Sequence, residues 1–431
     1  MGIYFVAYLA RPYCTDHLNR RYFFPALTVR ILGALAIGFI YQFYYDGGDT
    51  YMYHTYGSRI IWRIFLESPW NGLRLLFANA GDYWDLYNYT SQIYFFRDSN
   101  SYTIIRLAAI FDLLTFSSYA STACFFAVIG FIGSWQFFLT FYKQYPSQHK
   151  ALAVASLFIP SVAVWGSGIL KDSVMLACVG IATYQFYLIF FERKYGVSQI
   201  LILIISLWMI FSVKKFILQA YLPTVILWIG LSHLHQIRST VLRTMLVPFV
   251  ILILTASGYY AVKMIGEDDE KYAINRLAST ARVTAYDIRY WSGRGAGSGY
   301  SLGELDGTFS TMLKLAPQAV NVSLFRPYLW EVRNPLMLLS ALESFTLAVL
   351  VVHILLFKGS RVIRALKEPN VVFALTFAIT FAFAVGISTF NFGTLARYKI
   401  PLLPFFAKAL VLIQSYEKSE RKFSELETTE Y

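Results

Sequence analysis

Charge is what this sequence has least of. Only 14% of its 431 residues are Asp, Glu, Lys or Arg, against about 25% in a soluble domain. A soluble multi-domain enzyme could match the length, but not that shortfall together with repeated apolar runs. Cysteine is also scarce. Cys14, Cys124 and Cys178 are scattered and two of them lie in apolar runs, so they read as small buried hydrophobes. With no CxxC and no His/Cys cluster, a structural zinc site is not expected. No small-residue cleavage site follows the apolar opening MGIYFVAYLA. That stretch is too short to span a bilayer, and no removable signal peptide is expected. No internal repeat is visible, which counts against an inverted-repeat transporter.

What fills the chain is apolar. Hydrophobic residues make up 57% and aromatics 18%, and the mean hydropathy is +0.50. Apolar runs at 27–45, 119–142, 151–167, 172–191, 197–213, 216–233, 243–264, 334–357, 370–389 and 396–414 read as membrane-length helices. The fold expected is therefore all-α: a polytopic integral membrane protein with about ten transmembrane helices. The stretch 103–118 is apolar but contains Arg106 and Asp112, so it reads as interfacial or re-entrant.

The net charge of +12 could suggest nucleic acid, but the position of the cations gives another reason. Arg11, Arg20 and Arg21 precede the first run. Lys143 and Lys150 follow the second, Arg193 and Lys194 the fourth, and Arg238 and Arg243 the sixth. Lys358, Arg361, Arg364 and Lys367 follow the eighth, and Lys418, Arg421 and Lys422 the tenth. Every even-numbered exit is basic, which is the positive-inside pattern for two cytoplasmic termini in a cell inner membrane. The expected layout is a cytoplasmic N-terminus at 1–26, a membrane domain at 27–414 and a cytoplasmic tail at 415–431. Two outer loops are long, 46–118 and 265–333.

Within the first outer loop, residues 51–66 alternate apolar and polar faces at helical spacing and read as a helix lying on the membrane surface. Residues 292–307, SGRGAGSGYSLGELDG, read as irregular, either a mobile loop over a site or a linker.

Cations also gather where the positive-inside rule does not want them. Lys171 and Asp172 stand in the turn WGSGILKDS, and Lys214 and Lys215 in SVKKF. Arg326, Glu331 and Arg333 end the second long loop, and Arg397, Tyr398 and Lys399 lead into the last span. Each has a plain explanation. Lys214 and Lys215 can snorkel to headgroups. Arg326, Glu331 and Arg333 can form an internal ion-pair network, and Lys171 can pair with Asp172. Taken together on one face, they point to an anionic ligand, and a lipid phosphate or diphosphate fits. Opposite them the first span exits into YYDGGDTYMYHTYG. Asp46 and Asp49 offer either a general base or a pair of donors for a divalent cation. The glycines between them permit a tight bend. The plain reading of Asp49 is an N-cap of the helix at 50–66. His54 could join a proton relay or metal site, or simply sit at the interface.

DGGDTYMY with its following amphipathic helix, together with the late ARYKIPLLP, resembles the GT-C superfamily of membrane glycosyltransferases, which use polyprenyl-phosphate-linked sugars. The quoted motifs cover about twenty residues of the chain; the topology covers most of it. The first loop here lacks an adjacent Asp-Glu pair, and no soluble C-terminal domain is expected after the last apolar run. The resemblance implies that the first-loop acid serves as catalytic base, a role falling on Asp49 with Asp46 second. It further implies a polyprenyl-phosphate-linked sugar or glycan as partner, alongside membrane lipids and without nucleic acid. Tyr51, Tyr53 and Trp330 would then be candidates to stack on sugar rings. Two other functions fit the same layout. An O-antigen or exopolysaccharide polymerase would also use outward arginines, and a lipid-linked glycan transporter would use polar groups at membrane depth, as Arg106 and Asp112 supply.

Overall fold

A computed structural model describes residues 1–79, 84–235, 269–293 and 298–428, with isolated positions between 236 and 268. Of the described residues, 81% are helical. Among the described residues there is no strand, only an isolated bridge between Gly299 and Asn391. Among the described residues six helices are long and apolar enough to cross a membrane: Arg20–Tyr44, Tyr119–Tyr142, Lys171–Phe190, Lys215–Leu234, Pro335–Gly359 and Pro369–Thr389.

The expected spans outside those six differ for physical reasons. Residues 151–167 do not form one helix. A short helix, His149–Leu157, gives way at Phe158 and Ile159 to a second, Pro160–Trp165. Pro160 opens that second helix, since its ring fixes φ and its missing N–H is harmless in a first turn. Val197–Val213 and Leu402–Tyr416 are apolar but shorter. The expected span at 243–264 lies largely outside the described residues, as do Arg238 and Arg243.

The chain divides into two compact units, Met1–Lys214 and Lys215–Tyr431. In the first, helix α1 (Gly2–Cys14) folds back on α2 (Arg20–Phe39), with the Tyr4 hydroxyl 2.8 Å from that of Thr28. Four short helices follow: α3 (Asp49–Tyr53), α4 (Arg59–Glu67), α5 (Pro69–Phe77) and α6 (Tyr87–Thr90). Next come α7 (Ser99–Thr115) and α8 (Tyr119–Tyr142). The broken pair is α9 (His149–Leu157) and α10 (Pro160–Trp165), and α11 (Lys171–Phe190) and α12 (Val197–Val213) complete the unit.

Small residues set the packing of this unit. A Cβ on Gly133 of α8 would lie 2.3 Å from the Ala177 Cα, and one on Gly180 of α11 would lie 2.3 Å from the Gly133 carbonyl oxygen. Such glycines let helix backbones approach closely where van der Waals contact is the main attraction. The same residues show that α8 and α11 run parallel, because Gln136 lies beside Gln185 and Lys143 bonds Glu192. By contrast α2 runs antiparallel to α8, with Gly38 against Tyr119 and Phe23 against Trp135. One end of the unit thus collects Arg21, Lys143 and His149, while the N-termini of α8 and α11 and the exit of α2 share the other.

The second unit contains α13 (Lys215–His235), α14 (Leu277–Gly293), α15 (Phe309–Lys314) and α16 (Ala316–Phe325). After them come α17 (Pro335–Ala365), α18 (Pro369–Thr389), α19 (Phe392–Tyr398) and α20 (Leu402–Thr428). Its core is aromatic. Trp228 of α13 stacks on Phe373 of α18 with ring centroids 4.5 Å apart and donates its indole N–H to Asn370. Helix α16 packs closely along the C-terminal half of α18. A Cβ on Gly386 would lie 2.1 Å from the Ala319 carbonyl oxygen, and Ser323 donates to the Ala382 carbonyl at 2.7 Å. Sequence reading placed this stretch in a loop. Its buried face of Ala319, Val322 and Leu324 is too short a run to announce a helix.

Candidate functional site

The turn after α2 brings out the first candidate. Asp46 has φ 52°, Gly47 φ 115° and Gly48 φ 123°. Three successive left-handed residues reverse the chain, a conformation glycine adopts without steric cost. A Cβ on Gly48 would also lie 2.9 Å from the Tyr41 ring. Gly48, not Asp49, is the N-cap of α3, and Asp49 is the first helical residue. That corrects the capping reading of Asp49. Its carboxylate instead sits in the first turn, where the helix dipole favours an anion.

The expected surface helix at 51–66 is not a single regular helix lying free. It runs as α3, a π-helical turn His54–Ser58 with Tyr56 off helical geometry, and α4. Tyr53, His54, Ser58, Ile60, Ile61 and Ile64 are buried. Tyr53 lies against Phe95, and Tyr51 stacks on Tyr119 at 4.6 Å while bonding Gln42. Both rings are therefore engaged internally. Trp330, in the second unit, is exposed and stacks on Tyr328 at 4.8 Å.

Around the N-terminus of α11 the first unit gathers charge. The Lys171 ammonium donates to Asp98 at 3.2 Å, and Asp49 is close enough to act on it electrostatically, as is Lys214. Lys214 donates to Asp172 at 2.5 Å. The Lys171 side chain keeps 20% exposure and Asp98 46%, whereas Lys214 and Asp172 are buried at 9% and 2%. The distinction decides what each can do. Lys171 and Asp98 can exchange partners with a ligand, and Lys214 with Asp172 forms a closed pair. Neither snorkelling of Lys214 nor pairing of Lys171 with Asp172 describes the arrangement. Asp98 itself was not among the sequence-derived site residues. It caps α7 by accepting from the Asn100 N–H and also accepts from Ser101 and Lys171. Burial alone would raise its pKa, but Lys171 and these bonds hold it below the usual carboxylate range.

In the second unit Arg326 and Glu331 form a forked pair through the Arg Nε and Nη2 groups. Glu331 also accepts from the Tyr328 N–H at 2.8 Å. Hydrogen bonding to Glu331 raises the Arg326 pKa against burial. Burial would raise that of Glu331, but Arg326 and the Tyr328 N–H hold it low. Rings of Tyr300, Tyr328 and Phe392 surround the guanidinium at 5.4–5.8 Å. Ser344 of α17 donates to the Arg326 carbonyl and accepts from Lys399, which is 1% exposed. Arg333 is exposed, and Arg397 and Tyr398 are half-buried at the end of α19. Arg326 and Glu331 make an anchor for the segment after α16, and Arg333 has no place in that fork.

His54 has 1% exposure and lies 3.4 Å from Asp112 of α7, so it is a core residue rather than an interfacial one. Among the described residues no group of three or more His, Cys, Asp or Glu is arranged to hold a metal ion. A cation at Asp46 and Asp49 would draw its remaining ligands from water and phosphate, as Mg²⁺ sites do.

An apolar groove lies elsewhere. It measures 1160 Å³ and runs between α1, α2 and α8, lined by residues such as Val6, Phe23, Leu27, Phe125 and Phe131. None of the sequence-derived site residues lines it, and its apolar walls suit hydrocarbon rather than phosphate. No protein-family model, no curated protein and no solved structure matches this chain.

Proposed function

We propose that this protein is a membrane glycosyltransferase that takes a sugar from a polyprenyl-phosphate donor at the outer face of a cell inner membrane. The observation that carries the reading is the grouping of Asp49, Asp98 and Lys171 at one end of the first unit. Lys171 binds the donor phosphate by charge-assisted hydrogen bonding, with Asp98 holding the ammonium in place when no phosphate is present. Asp49 takes the proton from an acceptor hydroxyl. The acceptor oxygen then bonds the sugar's anomeric carbon, the bond from that carbon to phosphate oxygen breaks, and the polyprenyl phosphate leaves with the electron pair. Asp46 shapes the turn that presents Asp49.

The test is transfer of a radiolabelled sugar from polyprenyl phosphate in membranes carrying the protein. Asp49→Asn should abolish turnover, a loss of about 10²-fold or more for a general base, while the protein remains folded. Lys171→Gln should weaken donor binding most. Full turnover by Asp49→Asn would remove the base assignment. A ladder of repeat units in place of one added sugar would identify a polymerase.

A transporter reading draws on Arg30 and Lys408, which lie buried in apolar helices. Arg30, however, is committed to the Val162 and Gly166 carbonyls and to Ser134. That makes it a fastener between α2, α8 and α10 and favours the transferase.

A further inference from the structure

Helix α1 buries none of its 13 residues, although Arg11 is its one charged side chain. Hydrogen bonds hold it in place. The Tyr4 hydroxyl lies 2.8 Å from that of Thr28, Arg11 donates to the Arg20 carbonyl at 3.1 Å, and the Trp135 indole donates to the Cys14 carbonyl at 3.2 Å. Away from that last bond, the 1160 Å³ groove separates α1 from α8. Sites for drug-sized ligands measure about 300–1,000 Å³, so this one is large. Ile3, Val6 and Ala7 line it from α1, and Phe125, Val128 and Ile132 from α8. Walls of that kind leave a polar occupant without hydrogen-bond partners, which costs free energy, and hydrocarbon avoids the cost.

Height narrows the choice of hydrocarbon. At about 1.5 Å per residue α1 rises about 20 Å. A bilayer with its headgroups is about 40–45 Å thick. The part of the groove that α1 walls is therefore one leaflet deep, the depth of a single phospholipid.

The C-terminal end of α1 supplies positive charge. Arg11 ends α1 and Arg20 begins α2. The Arg11 Nε is buried without a hydrogen-bond partner, and Arg20 is exposed. Among the described residues neither is paired with an acid. Lys143 lines the groove and donates to Glu192 at 2.8 Å. Asp16 lines it too, but its oxygens already accept from the Leu18 and Asn19 N–H groups and from the Tyr142 hydroxyl.

From these features we propose that the groove behind α1 holds one anionic glycerophospholipid. Its acyl chains lie between α1 and α8, giving α1 the contact that α8 does not. Its phosphate sits at Arg11 and Arg20, held by charge-assisted hydrogen bonds. The inference does not rest on the transferase reading, since none of Asp49, Asp98 and Lys171 lines the groove.

The experiment is native mass spectrometry of the full chain purified in detergent micelles. The wild type should carry one phospholipid per chain. After delipidation, added phosphatidylglycerol should bind more tightly than phosphatidylcholine with the same acyl chains. Arg20→Gln should weaken phosphatidylglycerol binding about five-fold, the effect of one cation beside an anionic lipid. Ala7→Trp and Val128→Trp fill the groove from its two walls and should lose the lipid while keeping the wild-type helical circular dichroism. Val154→Trp, at an exposed position of α9 outside the groove, should keep it. Because Arg20 is exposed, its variant tests the proposal even if a tryptophan variant does not fold. Failure of the wild type to bind phosphatidylglycerol would overturn the proposal. So would equal binding of the two lipids, full retention in both groove variants, or a polyprenyl lipid retained in place of the phospholipid.

Discussion

At the scale of the residue, partners decide what a charge can do. Lys171 and Lys214 look alike in sequence, each beginning or ending an apolar helix. Lys214 is sealed with Asp172 at 2.5 Å, while Lys171 shares a half-exposed Asp98. Only the latter is open to an anion. The acids in these pairs also set a pH dependence. Asp98 and Glu331 have lowered pKa values in the folded chain. Their contribution to stability is therefore present above the ordinary carboxylate range, near pH 4, and is lost as pH falls through the lower folded values. The unfolding midpoint should drop on acidification, and less so in Glu331→Gln. An acid limb identical in wild type and Glu331→Gln would show that the Arg326 fork contributes nothing to it.

The pairing of Arg326 with Glu331 was legible as one reading of neighbouring charges, whereas that of Lys171 with Asp98 was not. Asp98 precedes Lys171 by more than seventy residues, and no local pattern links them. Asp46 and Asp49 were visible because they break an apolar run. His54 was visible for the same reason, but its partner Asp112 had been set apart in a different segment.

Elements carry a different lesson. Helices such as Tyr119–Tyr142 and Pro369–Thr389 are declared by predominantly apolar runs of more than twenty residues. Residues 151–167 are just as apolar, and Pro160 alone divides them into α9 and α10. The glycine contacts between α8 and α11 give a testable consequence. Gly133→Val would place side-chain carbons against the Ala177 backbone, where even a Cβ stands at 2.3 Å. Overpacking of this kind costs about 1–3 kcal/mol, and more where backbone is the obstacle. Gly2→Val, whose Cβ meets nothing within 4 Å, should leave the unfolding midpoint unchanged. Equal midpoints for Gly133→Val and wild type would contradict this packing.

At the scale of the whole molecule, the distribution of cations and hydropathy predicts a topology. Residues 84–98 should lie outside and residues 192–195 in the cytoplasm. In a background with Cys14, Cys124 and Cys178 replaced by Ser, a membrane-impermeant thiol reagent on intact cells should label Asp85→Cys and spare Lys194→Cys. The reverse pattern would invert the assignment and place Asp49 on the wrong side for an external donor.

The sequence by itself determined that this is an all-helical membrane chain, because hydrocarbon rejects unsatisfied backbone and most charge, and long apolar runs record that rejection directly. Only the tertiary structure decided which charges are closed pairs, which remain open, and which polar groups are buried together. Lys171 with Asp98, Arg326 with Glu331 and His54 with Asp112 are contacts between side chains brought together by packing. Composition and periodicity register how much of a helix faces apolar surroundings, but a single side-chain partner leaves no periodic trace.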